Sequence, residues 1–463
     1  MKNILKDPLI FIINLKELEF DKRIDVHYYK PEYLQNLKFL RKSFSLDSIE
    51  NMSVLVKDGP HQTPSFVEVG IPFLQKGDVT IGNINYDRSK HVSVEFHEEN
   101  KKTQTIKGDI LIRKIGVGPR EAAVVDQDRP LHIYVSIALI RLLPQYSPYF
   151  VEMFLNSKFG LLQTERRNKG IGTPDLHLED IKTIEIPHIS EKLETKIVKE
   201  ILNARKKNNK ILEEISLIRT KFFSDMQVRL GLTEIDESAD LIFSKQLPSD
   251  RLDVRHHSPI YEKLETNLHE GKFDVVTLQQ KSKFPTDKIN PKSIFLKNYF
   301  KYIQLQDIDT ETNEVISFSS ISGEDSPSRA KLMLQTNDLL IPTLGGSLNS
   351  IFQVSKKYNG TVGSTGFIKL DISDQYWREF IKLFLISKYG QYQLIKYLTG
   401  SIMPSINKNN LKKILIPNPD PVILKKIVNE YKKFEKESIS LRKKYVINLQ
   451  KSLNFLETSL TTL

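Results

Sequence analysis

Arg23-Ile24-Asp25-Val26-His27-Tyr28-Tyr29-Lys30-Pro31-Glu32-Tyr33 returns 228 residues later as Arg251-Leu252-Asp253-Val254-Arg255-His256-His257-Ser258-Pro259-Ile260-Tyr261. The match continues down the chain. Phe73-Leu74-Gln75-Lys76-Gly77-Asp78-Val79 answers to Tyr302-Ile303-Gln304-Leu305-Gln306-Asp307-Ile308, and Gly108-Asp109-Ile110-Leu111-Ile112 to Asn337-Asp338-Leu339-Leu340-Ile341. Ser157-Lys158-Phe159-Gly160 answers to Ser387-Lys388-Tyr389-Gly390, and the same offset carries Gly170, Pro174, Pro187 and Ile197 onto Gly400, Pro404, Pro417 and Ile427. Blocks in one order with almost constant spacing are the mark of a tandem duplication.

Each copy follows one plan. Up to about Pro187 or Pro417 it reads as mixed α/β. Ile110-Leu111-Ile112, Ile137-Ala138-Leu139-Ile140 and Ile184-Glu185-Ile186 are strand-like runs bounded by Gly, Pro and Asn. One amphipathic helix is expected in each, from about Pro148 to Phe159 and from about Gln375 to Tyr389. A long uninterrupted helix then closes the copy. Ile197, Ile201, Ala204, Asn208, Ile211, Ile215, Ile218 and Phe222 step by four and three, the heptad of a coiled-coil seam. Ile427, Tyr431, Phe434, Ser438, Leu441 and Tyr445 repeat that step, and Leu449, Leu453, Leu456 and Leu460 continue it after a one-residue shift. A seam needs an apolar partner of equal length, and each is the other's natural partner. Asn208 and Ser438 interrupt the seams, as polar residues do where they fix register. The fold class is therefore α+β: a duplicated α/β domain with a long helix after each copy, the two helices forming an antiparallel coiled coil.

Composition sets the limits. The 463 residues carry 68 Lys+Arg against 57 Asp+Glu, a net charge of +11, and 39% are apolar. That is enough to build cores and excludes wholesale disorder. No apolar run reaches the roughly 18–20 residues of a membrane helix. Leu9 to Ile13, behind Pro8, is too short for a signal-peptide core. The expectation is a soluble, cytoplasmic protein with no membrane partner. The absence of Cys removes disulfides, thiolate metal sites and thiol nucleophiles together. Between the copies, Leu232 to Asp250 holds five acids and one Lys, a linker unsuited to a polyanion.

A search for catalytic chemistry finds little. The chain has no G-x-x-x-x-G-K-[ST], no G-x-G-x-x-G opening a helix after a strand, and no H-E-x-x-H. His256 and His257 are neighbours that would point apart on a strand. Asn418-Pro419-Asp420-Pro421 has part of the N-P-P-aromatic loop of amino-methylating enzymes, but it lacks the aromatic and sits where a helix cap belongs. Pro174-Asp175 with Asp180-Ile181-Lys182 imitates a nuclease PD…DxK. The second copy answers with Pro404-Ser405 and Asn410-Leu411-Lys412, keeping Pro and losing both acids, as a structural turn does. Gly116-Val117-Gly118 and Gly345-Gly346 follow strands and read as turns. Trp377 reads as core. No catalytic, cofactor-binding or metal-ligating residue is assigned.

What remains suits binding. Lys57-Asp58-Gly59-Pro60-His61-Gln62-Thr63-Pro64 is dense in side chains that hydrogen-bond base edges. The first copy therefore contributes Lys57, His61, Gln62, Thr63, Lys76, Arg113, Lys114, Arg120, Arg166, Arg167 and Lys169 as DNA-binding candidates. The second contributes Lys281, Lys283, Gln304, Gln306, Thr343, Ser347, Asn349, Lys396 and Asn407. Any one basic residue alone reads equally well as solvated surface charge.

These residues resemble a family. Asp58 to Pro64 followed by Gly70-Ile71-Pro72-Phe73-Leu74, then Gly108 to Gly116, Gly400-Ser401 through Pro404, and Leu411 to Pro417 resemble the DNA-specificity (S) subunit of type I restriction-modification systems. Nearly the whole chain takes part, and the duplicated layout is the most specific sign. In place of the family's Glu-Gln before an Ile stand Lys425-Lys426-Ile427 and Thr195-Lys196-Ile197, and the second copy lacks the Asp-Gly-Pro-His loop. The resemblance implies target-recognition domains at 1–187 and 251–417, spacer helices at 188–231 and 418–463, and a linker at 232–250. It implies a non-catalytic guide in phage defence: each domain reads half of a bipartite double-stranded DNA target. The paired helices set the spacer and dock two methyltransferase subunits, and two translocase-nuclease subunits add cleavage. S-adenosylmethionine, ATP and Mg would belong to those partners, and this chain would bind none. From Ile197 to Phe222 a helix spans about 38 Å at ~1.5 Å per residue, close to the roughly 34–36 Å of one duplex turn. The alternative is a degenerate DNA methyltransferase or nuclease with its own DNA-reading domains.

Overall fold

Along Ile110–Arg113 and Ile137–Leu142 nearly every residue is apolar, because both faces of these strands are covered. Ile110, Ile112, Ala138 and Ile140 turn one way, into a core shared with Phe150, Val151 and Phe154. Leu111, Ile137 and Leu139 turn the other way, onto Leu74, Val79 and Ile133. That two-residue alternation assigns one strand to two cores. Truncating such a residue to Ala would cost about 2–5 kcal/mol.

The computed structural model describes residues 23, 25–62, 64–67, 69–86, 89–116, 118–169, 174–235, 254–310, 312–400 and 403–462. Thr63 and the 236–250 part of the acidic stretch lie outside the described residues. The chain forms two compact units, Met1–Glu213 with Leu441–Leu463, and Glu214–Ser440. Each unit holds one copy's α/β part and a piece of each long helix.

In the first unit a four-stranded antiparallel sheet runs Ser53–Asp58, Ile137–Leu142, Ile110–Arg113, Ala122–Val124. A second sheet runs His132–Ile133, Ile71–Leu74, Lys90–Val92, Phe66–Val67, with its first pair parallel. The helix expected from Pro148 to Phe159 is two helices, Pro148–Asn156 and Lys158–Arg167. Ser157 breaks it: its hydroxyl donates to Phe154 O at 2.6 Å. Gly160 then packs so close that a Cβ would lie 2.3 Å from that carbonyl oxygen.

The second unit repeats this with changes. Its helices are Gln375–Ile386 and Lys388–Lys396, not one helix to Tyr389, and Ser387 donates to Phe384 O at 2.6 Å. Gln163 Nε2 donates to Glu185 O while Glu185 N donates back to Gln163 Oε1. Gln393 makes the same pair of bonds with Leu415. The sheet Ser319–Ser322, Tyr299–Ile303, Val362–Ser364, Ala330–Met333 again has one parallel pair. The other sheet has three strands, Phe352–Gln353, Leu339–Pro342 and Phe367–Leu370. Where the first copy has the outer strand Ser53–Asp58, Lys283 makes a single bridge to Asp371. His256 and His257 are not on a strand. They end the 3-10 turn Val254–His257 with ring centroids 5.0 Å apart, edge to face.

The long helices are Glu191–Leu230 and Pro421–Thr461. In the first unit Ile197 and Ile201 share a core with Leu453, Leu456 and Leu460. Asn208 there donates to Tyr445 O at 3.3 Å and accepts from Asn448 at 3.1 Å, so its polar amide is satisfied inside the seam. In the second unit Phe222 meets Tyr431 and Phe434, with centroids 5.5 and 5.6 Å away, and Arg229 pairs with Glu430 at 2.8 Å. Within the first unit, rising numbers on one helix meet falling numbers on the other, so the two pieces run antiparallel. The remaining seam residues Ile211, Ile215, Ile218, Ile427, Ser438 and Leu441 are buried or half-buried. Asp420 caps the second helix through bonds from Val422 N and Ile423 N, both 2.9 Å, which is the cap expected of the Asn-Pro-Asp-Pro stretch.

Candidate nucleic-acid interface

In the first unit three separate stretches meet behind the strand Ile110–Arg113. Gly116 N donates to Pro174 O at 2.9 Å and Leu176 N to Lys114 O at 2.9 Å. Asp175 forms isolated bridges with both Ile115 and Lys169. Gly116 has φ +121 and Gly118 φ +103, values that favour glycine, so the turn needs them for its backbone path. The second unit builds the same locus from its own residues. Gly345 N donates to Pro404 O and Ile406 N to Thr343 O, each 2.8 Å, and Ser405 bridges both Leu344 and Thr399. Pro174-Asp175 is thus a structural turn, as the exchange for Pro404-Ser405 indicates.

The two loci share these backbone hydrogen bonds, though Gly345–Ser347 forms a 3-10 turn, and they differ in side chains. Lys114, about 6% exposed, holds Asp58 at 3.1 Å and Asp175 at 3.5 Å, fastening the 58–62 loop to the turn. Thr343 and Ser405 occupy the places of Lys114 and Asp175, and Thr343 Oγ1 donates to Gly366 O at 2.9 Å. The second locus is uncharged where the first is ionic.

The candidates divide by what their side chains already do. Arg120 is 1% exposed and donates to Asn168 Oδ1, Gly116 O and Pro174 O; burial holds its guanidinium below the usual range. Arg166 donates to Tyr28 O and stacks on the Tyr28 ring at 3.8 Å. Arg167 donates to Gln163 O, Thr183 Oγ1 and Thr183 O, and burial brings its pKa down to about 10, still protonated near neutrality. Arg113 pairs with Glu121 and Lys169 with Asp180, while the buried Lys396 pairs with Glu265. Lys281 lies 4.0 Å over Trp377, which is half-buried against the core. Asn407 caps the Lys408–Leu411 turn by accepting from Asn410 N. Of these, Arg120 shapes the locus from inside, and the others are engaged by neighbours of their own.

The outward-facing set is smaller. His61 has an 81% exposed side chain and lies 3.8 Å from Asp58; Gln62 is exposed beside it. Lys76 is exposed, its Nζ reaching the open face of Gly116. Lys57 is half-exposed on the strand below. In the second unit Asn349 and Gln306 are exposed and Ser347 half-exposed around the Gly345 turn and the Leu305–Asp307 turn, and Gln304 caps the latter. Lys283 is exposed at its single bridge. Sequence reasoning passed over Asp58 and Asp175 as partners of Lys114 and over the paired Gln163 and Gln393. The latter pair stands at the constant offset of 230 and could have been found there.

Among the described residues no group of three or more His, Asp or Glu is placed to hold a metal, and no helix is long and apolar enough to cross a membrane. No family model matches the chain. It is 23% identical over 159 residues to the type I restriction enzyme EcoBI specificity subunit of Escherichia coli, a match covering 34% of this chain and a third of that relative's length. Among solved structures it is similar to the S subunit of a type I restriction-modification system from M. genitalium, at 16% identity and a TM-score of 0.35, covering 89% of this chain and 96% of that one. It is also similar to the HsdS subunit from Thermoanaerobacter tengcongensis, at 13% identity and a TM-score of 0.30, covering 90% and 96%. The protein that the matched relative names and the one that the duplicated motifs resemble are the same kind: a type I restriction-system specificity subunit.

Proposed function

We propose that this chain is the DNA-reading specificity subunit of a type I restriction-modification complex. Its two α/β parts each read one half of a bipartite target, and the paired helices set the spacer and dock the catalytic partners. The observation that carries this is the locus built twice: the same backbone hydrogen bonds at Gly116/Pro174 and Gly345/Pro404, furnished with different side chains. A frame kept under a changed lining is what two modules need to hold similar duplex and read different bases. His61, Gln62 and Lys76 in the first unit, and Ser347, Asn349 and Gln306 in the second, are the groups proposed to meet DNA. Arg120 holds the Gly116 turn beside Lys76 through Gly116 O and Pro174 O.

The chain acts without chemistry of its own. Two methyltransferase subunits would bring S-adenosylmethionine, and two translocase-nuclease subunits ATP and Mg, all in the cytoplasm where the host DNA lies. Co-expression with the neighbouring gene products followed by methylation sequencing tests this. A two-part methylated motif is expected. Transfer of label from S-adenosylmethionine to DNA by the purified chain alone would refute the non-catalytic reading.

A further inference from the structure

Leu296 has φ +51, a left-handed backbone that a leucine rarely adopts, and its side chain is 60% exposed. The surrounding chain enforces this. Glu324 N donates to Leu296 O at 3.0 Å and Gly323 N to Asn298 O at 3.1 Å. Gly323 sits so near that a Cβ would lie 2.4 Å from the Leu296 carbonyl oxygen. A strained residue held in place, with its apolar side chain turned to water, is an unusual use of stability. It has exposed apolar company in Ile294 at 51% and Tyr299 at 72%. Lys292, Lys297 and Lys301 are exposed around it, and Lys301 Nζ lies 4.9 Å over the Phe318 ring. Two exposed acids, Glu324 and Asp325, border the tip, and Asp325 is taken up by Ser322 at 2.6 Å.

The first copy also exposes apolar side chains at this place, though there Phe66–Val67 is a regular strand paired with Lys90–Val92 and no left-handed residue occurs among the described residues. Phe66 and Val67 are 37% exposed and Val69 90%, with Lys90 Nζ 4.4 Å over the Phe66 ring. At the repeat offset of 229, Val67 is the counterpart of Leu296. In that copy the apolar tip follows directly on the 58–64 loop, whose His61 and Gln62 are proposed base contacts. Exposed apolar side chains with a lysine beside them, present in both copies, match a double helix: cations for phosphates and an apolar edge for bases.

We propose that the 292–299 tip is a DNA wedge. Leu296 and Tyr299 press on a base step while Lys292, Lys297 and Lys301 take flanking phosphates, and Phe66, Val67 and Val69 press on the other half-site with Lys90 beside them. This rests on the DNA-reading function proposed above. The test uses the full-length chain and a 40-bp duplex bearing the motif recovered by methylation sequencing, with donor and acceptor dyes at its ends. Leu296→Gly removes the wedge and relieves the backbone, since glycine adopts this φ without penalty. It should leave hydrogen-exchange protection of the 299–303 strand unchanged or raised, weaken duplex binding about tenfold and reduce the bend reported by energy transfer. That weakening should persist at low salt, whereas Lys297→Gln should lose affinity mainly through a smaller salt slope. Leu296→Gly binding and bending the duplex like wild type would overturn the wedge. So would intact DNA binding with lost capture of the methyltransferase subunit, which would make the tip a protein-docking surface. A wild-type chain that binds no duplex at any salt would instead sink the DNA-reading function itself, and the wedge with it.

Discussion

Replacing Lys114 by Thr asks whether the first copy can live with the second copy's chemistry. Lys114 is almost fully enclosed and neutralises two carboxylates, Asp58 at 3.1 Å and Asp175 at 3.5 Å. Stripping one partner from a buried ion pair costs about 3–5 kcal/mol. Asp58 and Asp175 keep 16% and 32% of their side-chain exposure, so water recovers part of that and the expected loss is roughly 2 kcal/mol. The second copy carries Thr343 and Ser405 at these places, so adding Asp175→Ser removes one orphaned charge. It should return about 1 kcal/mol, a coupling in the range of directly touching residues. Asp58 keeps only the exposed His61, 3.8 Å away, in the double variant, so recovery is partial. Two units need not unfold together, so the assay is urea-dependent hydrogen exchange at amides of the 110–142 strands rather than a single melting curve. Methylation sequencing on the same variants should show the first half-site degraded and the second kept. A K114T/D175S chain no more stable than K114T would refute the view that Lys114 is there to hold two acids together.

Other outcomes follow from the same geometry. His61→Ala with Gln62→Ala should relax recognition in one half-site only, each affected base pair being worth roughly 1–3 kcal/mol; altered reading of both halves would contradict independent modules. Duplex affinity should fall with salt at a log–log slope of ~0.9 per neutralised phosphate, and Lys76→Gln should lower that slope by about one contact; a flat salt dependence would sink the DNA contact. His132 is fully buried, beside His97 and Thr103, and burial brings its pKa from 6.5 down to about 4. The folded ring resists a proton that the unfolded ring accepts, so this contribution is complete above pH 6.5. It is lost as pH falls towards 4, about 3 kcal/mol in all. Urea titrations of His132→Phe across that window should be flatter than wild type.

The duplication, the class of fold and the helical seams were legible because they are periodic. A constant offset and a heptad step survive in one dimension. The single helices expected at Pro148 to Phe159 and Gln375 to Tyr389 became pairs because Ser157 and Ser387 turn their hydroxyls onto carbonyls one turn back. Composition does not distinguish such a serine from one on a helix surface. His256 and His257 were misplaced for a related reason: a 3-10 turn and a strand end can share a short polar sequence. The loss of the acid between Pro174-Asp175 and Pro404-Ser405 did identify a structural turn, because the second copy served as a built-in comparison.

The candidate site was harder. A list of basic residues has no way of telling which are spent inside. Arg120, Arg166 and Arg167 look like DNA contacts in sequence, yet carbonyls, an amide and a tyrosine ring from distant stretches surround them. The strain at Leu296 was equally invisible, because it comes from Gly323, twenty-seven residues on. Sequence by itself determined what repeats and what is apolar, since hydrophobic periodicity is written locally. Only the tertiary structure decided which charges are free to meet a partner, because burial and pairing are settled by residues that lie far apart in the chain and close together in space.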